Sequence, residues 1–380
     1  MKICILVSNS LKKDPRVIKQ IKTAKDIGYD VFFIGFKDAF YDKKFLDSVG
    51  CDILIVKTYV GKLNSVFKQL IRKFHHFFYP IKYIIQINPN IIHANDIDTL
   101  IQAYIASKFT QSKVIYDSHE ICAENIGVAN KFFQKKIMIF LEKIIVRRIS
   151  AMISVSNSSA DYFSKLYKIK KPIVITNVPY KFKLNHVNQR STNNFEVLYQ
   201  GLMIEGRGYE EFVESGKYVF EDIKLVIRGY GFIEEKLNNL IIKNNLQNIV
   251  EFAKPVEIKD IIQTSSKSHL GVVLTQPVNI NFQLTISNKI FEYIHAGLPV
   301  LMSDIPEHRY LNEKFKFGII INNFSAENIA KEINDLSKDT FRYNELRTNA
   351  INAAEILNWE NESKKLIQAY KKITQNNILI

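Results

Sequence analysis

The chain has 380 residues, 47% hydrophobic and 24% charged, an ordinary globular mix and enough length for two domains. No uninterrupted apolar run is long enough to cross a bilayer. The three scattered cysteines (Cys4, Cys51, Cys122) exclude a disulfide-built scaffold or a cysteine metal cluster and point to a reducing, cytoplasmic compartment.

Charge is unevenly divided. Residues 1–180 carry 28 Lys+Arg against 14 Asp+Glu, whereas residues 181–380 carry 24 of each. A basic half beside a neutral half points to an anionic partner, such as a membrane surface, a phosphate-linked acceptor or nucleic acid. The opening MKICILVSNS is too short for a signal peptide and runs on as a strand pattern.

In the first half, short apolar runs at Lys2–Val7, Val31–Phe36, Ile53–Val56, Asn90–Ala94, Lys113–Tyr116, Met152–Val155 and Ile173–Ile175 alternate with helical stretches. That alternation predicts a doubly wound parallel sheet, which binds ligands where its strands end. After the first strand comes SNSLKKDPRV, without the Gly-x-Gly-x-x-Gly dinucleotide fingerprint, and Asp14, Pro15 and Arg16 open a helix. His93-Ala94-Asn95-Asp96 and Asp117-Ser118-His119-Glu120 follow two further strands. Two histidine–carboxylate pairs at the ends of one sheet favour a cleft site over simple helix caps. Asp96-Ile97-Asp98 is an Asp-x-Asp, a metal ligand pair in some sugar transferases. Here it opens a helix with no further oxygen ligands nearby, so Asp98 reads as a first-turn carboxylate.

Two stretches mix aromatic, aliphatic and basic residues in helical spacing, Phe67–Tyr83 and Lys131–Arg148. The second is expected to pack in the core. The first, with more aromatics than one buried face needs, is expected to be the membrane-facing one. Polar Lys181–Asn194 reads as a linker and places the domain boundary near residue 180.

The second half starts again with strand Glu196–Gln200 and then GLMIEGRG, where glycines around Arg207 let the backbone approach a ligand. LVIRGYG, IVEFAKP and Leu270–Leu274 continue the pattern up to SNKIFEYIHAGLPVLMS. Ser287 or Asn288 caps a helix there, Gly297 ends it, and a strand follows. Lys289 and Glu292 share one face, so free amides and an ammonium meet a phosphate while a carboxylate waits one turn deeper for vicinal hydroxyls. Helices are expected over 326–357, and a last one over Asn358–Ile373.

GLMIEGRG, LVIRGYG, FAKP and NKIFEYIHAGLPV, in this order after DPRV, IIHAND and YDSHE, resemble the retaining GT-B glycosyltransferases of family 4, the glycosyl transferases group 1. The resemblance covers nearly the whole chain and implies an α/β GT-B fold of two Rossmann-like doubly wound domains facing across a cleft. These would be 1–180 on the acceptor side and 181–357 for the sugar nucleotide, with the helix 358–380 packed back on the first. It implies donor binding by Gly201, Arg228, Gly231, Asn288, Lys289 and Glu292. Catalytic work falls to His119, Arg207 and Lys289, and Asp14, Arg16, His93 and Asp96 line the acceptor side. The donor is a nucleoside-diphosphate sugar, a UDP-sugar by frequency in the family, and no metal cofactor is required.

Two positions depart from the family pattern. Leu284 stands where a second glutamate is common, and Leu202 where an arginine is common. The basic first half suits a glycan or lipid-linked acceptor and an anionic membrane surface, with no nucleic acid, and a peripheral place at the inner face of the membrane. Two rivals are a nucleotide-sugar 2-epimerase of the same fold, which needs no acceptor, and a non-catalytic basic scaffold or nucleic-acid binder, which needs no sugar nucleotide.

Overall fold

The computed structural model describes residues 1–8, 11, 14–36, 49–50, 52–56, 66–124, 131–184 and 194–375, with the backbone alone at 36, 52–56 and 66–73. The chain forms two compact units, Met1–Asn177 with Glu362–Ile380, and Val178–Asn361.

The first unit is built on a parallel sheet of β1 (Lys2–Val7), β2 (Asp30–Phe36), β3 (Asp52–Val56), β4 (Ile91–Asn95), β5 (Lys113–Ser118), β6 (Ala151–Ser154) and β7 (Ile173–Val174), in the order β3-β2-β1-β4-β5-β6-β7. β1, β4, β5 and β6 are buried almost throughout, which their unbroken apolar runs demand of a sheet covered on both faces. Local signals set the helices. The Asp14 carboxylate accepts the Val17 amide at 3.1 Å ahead of helix Pro15–Asp26, and Ser156 caps Asn157–Tyr167. Tyr370, on the last helix Trp359–Thr374, is fully buried against the first unit through His93.

The second unit holds β8 (Phe195–Met203), β9 (Ile223–Gly231), β10 (Val250–Ala253), β11 (Leu270–Val273), β12 (Val300–Ser303) and β13 (Gly318–Ile321), all parallel, in the order β10-β9-β8-β11-β12-β13. One face of this sheet buries Tyr199 stacked on Tyr209, with Phe212, Leu225 and Ile227 beside them. In both sheets the chain reverses direction across the sheet once, between β1 and β4 and between β8 and β11. That switch point leaves a crevice at the strands' C-terminal ends.

One expectation changes and two elements are added. Helix Phe132–Val146 does not pack along its length in the core. Its buried residues are Glu142, Ile145 and Val146, all near its C-terminal end, and no residue of its earlier turns is buried. The stretch Phe67–Tyr83 lies in a longer helix, Val66–Ile87, with Phe74 and Phe78 exposed; its side chains before residue 74 lie outside the described residues. Residues 185–193 of the expected linker and Cys51 also lie outside them. Helix Pro306–Phe315 and β13 are additions to the expected set. Among the described residues no helix is long and apolar enough to cross a membrane.

Candidate active site

In the second unit the predicted residues converge at the β8/β11 switch point. β8 reaches Gly201 at φ +120°, a conformation that L side chains rarely adopt; a Cβ there would lie 2.3 Å from Lys289 Cε and 2.9 Å from its Nζ. The missing side chain is therefore the space the lysine occupies. Lys289 belongs to the first turn of helix Asn288–His295 and is only 8% exposed. Burial pushes its ammonium down to about 7, the neighbouring Arg207 adds to the shift, and Glu292 opposes it.

Arg207 is carried by a turn that only glycines permit. Gly206 and Gly208 have φ +77° and +70°, and a Cβ on Gly208 would lie 2.7 Å from the Leu274 carbonyl oxygen. The Tyr199 hydroxyl donates to the Arg207 carbonyl and pins this turn to the core. Arg207 Nε is buried without a hydrogen-bond partner among the described residues, as is Arg228 Nη1 on β9. Burial also lowers the Arg228 pKa, against the pull of Glu196. Buried donors of this kind require an explanation, and an anion supplies one.

Glu292 is positioned from the sheet. Gln200 Nε2 donates to its Oε2 at 2.7 Å, and Gln200 Oε1 accepts from Ser265 Oγ at 2.9 Å. The Gln200 amide donates to the Tyr293 hydroxyl at 2.9 Å, and the Tyr293 ring covers Gly271, where a Cβ would lie 2.3 Å from it. Sequence reasoning missed Gln200 and Ser265 because a glutamine ending a strand and a serine in a short helix carry no motif. Asn288 is exposed at the helix start, and the Ser287 side chain makes no capping bond there. Gly231 serves a different end: its missing side chain lets β9 approach β8, where a Cβ would lie 2.1 Å from the Met203 carbonyl oxygen. Leu202 is exposed, and Leu284 ends the short helix Ile280–Leu284.

The first unit presents a separate cluster at its own switch point. His119 Nε2 lies 3.0 Å from Asn95 Oδ1, and Asn95 Nδ2 donates to the Leu6 carbonyl at 2.9 Å. That bond fixes the Asn95 oxygen as acceptor, so His119 Nε2 carries a hydrogen. Its Nδ1 faces Asp96 Oδ2 at 3.4 Å and Asp14 Oδ2 at 4.0 Å. Burial raises Asp96 to about 6 although His119 pulls it down. Asp96 holds a left-handed φ of +60°, and its carboxylate accepts the His119 amide at 3.0 Å. Strained backbone at such a place points to a site. Asp98 bonds Ser8 instead, so the Asp-x-Asp carboxylates go to different partners.

Arg16 and His93 were expected to line the acceptor side, and the structure places them inside the unit, at 2% and 0% exposure. Arg16 forks onto both Asp117 oxygens at 2.8 Å and donates to the Ile175 carbonyl at 2.9 Å. Gln20 Nε2 adds a third bond to Asp117 at 2.6 Å, and His93 Nδ1 meets the Tyr370 hydroxyl at 2.8 Å. Burial would raise Asp117, but Arg16, His93 and His119 outweigh it and hold the carboxyl well below its usual range. The pair is buried where a carboxylate and guanidinium must satisfy each other, so it ties helix to sheet.

Two doubly wound parallel sheets, one with cations gathered at its switch point, define a two-unit α/β protein. Residues 181–356 match the family model of the glycosyl transferases group 1, and residues 22–177 match that of glycosyltransferase family 4. The chain belongs to the group 1 glycosyltransferases, in the GT-B fold. Its solved structural relatives include sucrose-phosphate synthase from Thermosynechococcus elongatus, at 15% identity over 99% of both chains with a TM-score of 0.79. Anabaena HepE, solved with UDP and glucose, is 18% identical over 98% of this chain and 100% of that one, with a TM-score of 0.75. S. aureus TarM, solved as a mutant with fondaparinux, alpha-GlcNAc-glycerol and UDP, is 12% identical over 97% and 99%, with a TM-score of 0.72. At these identities the likeness is one of fold. Among curated proteins, 122 residues are 30% identical to a bifunctional dihydropteroate synthase/dihydropteroate reductase of Helicobacter pylori; the match spans 32% of this chain and 31% of that protein.

Proposed function

We propose that this chain moves a sugar, with retention of configuration, from a nucleoside-diphosphate sugar to a hydroxyl of a glycan or lipid-linked acceptor in surface-polysaccharide synthesis. The carrying observation is Lys289, buried beside Arg207 over the bare Gly201 backbone, with Glu292 one turn further along the same helix. Two cations held so close repel each other and await an anion, and a diphosphate satisfies both. Glu292, oriented by Gln200, accepts hydrogen bonds from the ribose hydroxyls. HepE and TarM were solved with UDP, which supports a UDP-sugar here.

Breaking the sugar–phosphate bond sends a full extra negative charge onto the leaving diphosphate. Arg207, Lys289 and the helix amides meet that charge as it develops, so they stabilise the transition state more than the bound substrate. Charge-assisted bonds contribute about 1.5–3 kcal/mol each, so two or three supply several powers of ten in rate. The acceptor hydroxyl attacks from the face the leaving group departs, giving up its proton to a departing phosphate oxygen. Within the first unit, His119 with Asp96 and Asp14 forms a polar cluster suited to the hydroxyls of the acceptor. The charges that meet the leaving group are the protein's own.

Thermal-shift measurement against a panel of sugar nucleotides tests the donor, with a UDP-sugar expected to raise the melting temperature most. Proton NMR of the product then reads the anomer. Retention is expected, and an inverted product overturns the mechanism. A sugar nucleotide epimerised without any acceptor overturns the transferase reading.

A further inference from the structure

Helix Phe132–Val146 breaks the pattern of a covering helix. None of residues 132–141 is buried, and Phe132, Phe133, Ile137 and Phe140 are 59% to 79% exposed. Phe133, Ile137 and Phe140 recur at helical spacing and so share one outward face. The helix is held by its inner side, where Glu142 accepts the Tyr116 hydroxyl at 2.8 Å and Lys135 pairs with Glu124 at 2.7 Å. Helix Asp96–Thr110 packs against it and against Val66–Ile87. Exposed rings also stand on those two helices, Phe109 on the first and the Phe74–Phe78 pair on the second. Large apolar side chains exposed along one helix mark an interaction site.

Charge selects the occupant. From Lys131 to Arg148 the segment KFFQKKIMIFLEKIIVRR carries six basic residues and one acid, Glu142, which is buried. Lys136 lies over the Phe132 ring at 4.1 Å, so ammonium and aromatic stand at the same level of the surface. A second copy of the helix would meet its own charge. A nucleic-acid backbone matches the cations but leaves Ile137 and Phe140 against hydrated phosphate. An anionic bilayer matches both, with rings and aliphatic chains entering the acyl boundary while the basic residues stay among the headgroups.

We propose that the outward face of helix Phe132–Val146 docks the first unit on an anionic lipid surface. The docking is independent of the sugar-nucleotide reading, and its test uses no nucleotide.

The full chain is co-sedimented with phosphatidylglycerol vesicles and with phosphatidylcholine vesicles. Pelleting is expected with the anionic vesicles, falling at least tenfold in the neutral ones or at high salt. Phe133→Ser with Phe140→Ser removes the apolar part, and Lys136→Glu with Lys143→Glu reverses the charge. Each double variant is expected to lose about tenfold or more in vesicle affinity, with the circular-dichroism melt unchanged. The charge pair reads the same surface should the apolar pair disturb the fold. Equal pelleting in both lipids, no pelleting in either, or undiminished binding by folded variants overturns the proposal. A solution dimer that the serine variant dissociates, without vesicle binding, assigns the face to a second copy and overturns it too.

Discussion

Lys289 is the residue at which burial, charge and ligand chemistry meet. In the folded, ligand-free chain it sheds its proton near 7, against 10.5 for an ordinary lysine. Between those values the unfolded chain holds more protons than the folded one, so this residue's contribution to stability rises as pH rises from 7 toward 10.5. A bound diphosphate favours the ammonium, so binding takes up a proton in the same range and affinity falls as pH rises above 7. Lys289→Met removes both behaviours. Calorimetric titration with UDP is expected to show affinity falling from pH 7 to 9 in the parent, and roughly 10- to 100-fold weaker, pH-insensitive binding in the variant. The ligand-free variant melts no lower than the parent at pH 7, because a buried amine disfavoured by desolvation and by Arg207 gives way to an apolar chain of like size. A destabilised variant that keeps its nucleotide affinity makes the lysine a structural group.

Among elements, the strand-end turns decide what the helix can present. At Gly201 any side chain falls on Lys289, at a φ that already disfavours one. Gly201→Ala is therefore expected to displace the lysine, weaken UDP binding at least tenfold, and lower stability by about 1–3 kcal/mol through the backbone. Chemical denaturation beside the UDP titration separates the two effects. Unchanged binding shows that the lysine has room elsewhere. Elements of this kind were legible in the sequence to different degrees. Most strands were, because parallel strands covered on both faces read as unbroken apolar runs, and the Lys289–Glu292 helix was, because its cap, spacing and stop agree. Helix Phe132–Val146 misled because apolar spacing says that a face is apolar and not what covers it. Gln200 and Ser265 were hidden because they act through a neighbour, and only the fold brings a strand end beside Glu292.

Over the whole molecule, the same kinds of residue at two strand ends have different fates. Arg207 keeps a buried donor open, whereas Arg16 is fully committed to Asp117 and Ile175. Sequence position after a strand could not separate them; burial and partners do. Arg16→Ala leaves the Asp117 carboxylate buried without its countercharge, a loss of about 3–5 kcal/mol, while the cation cluster of Val178–Asn361 is untouched. With a separate core in each unit, scanning calorimetry is expected to show two transitions. UDP raises the one belonging to the unit that carries Lys289, and Arg16→Ala lowers the other with UDP affinity within about twofold of the parent. A single transition that both perturbations move shows the units melting as one. Lost UDP binding in a folded Arg16→Ala chain makes Asp117 and its partners part of the donor site.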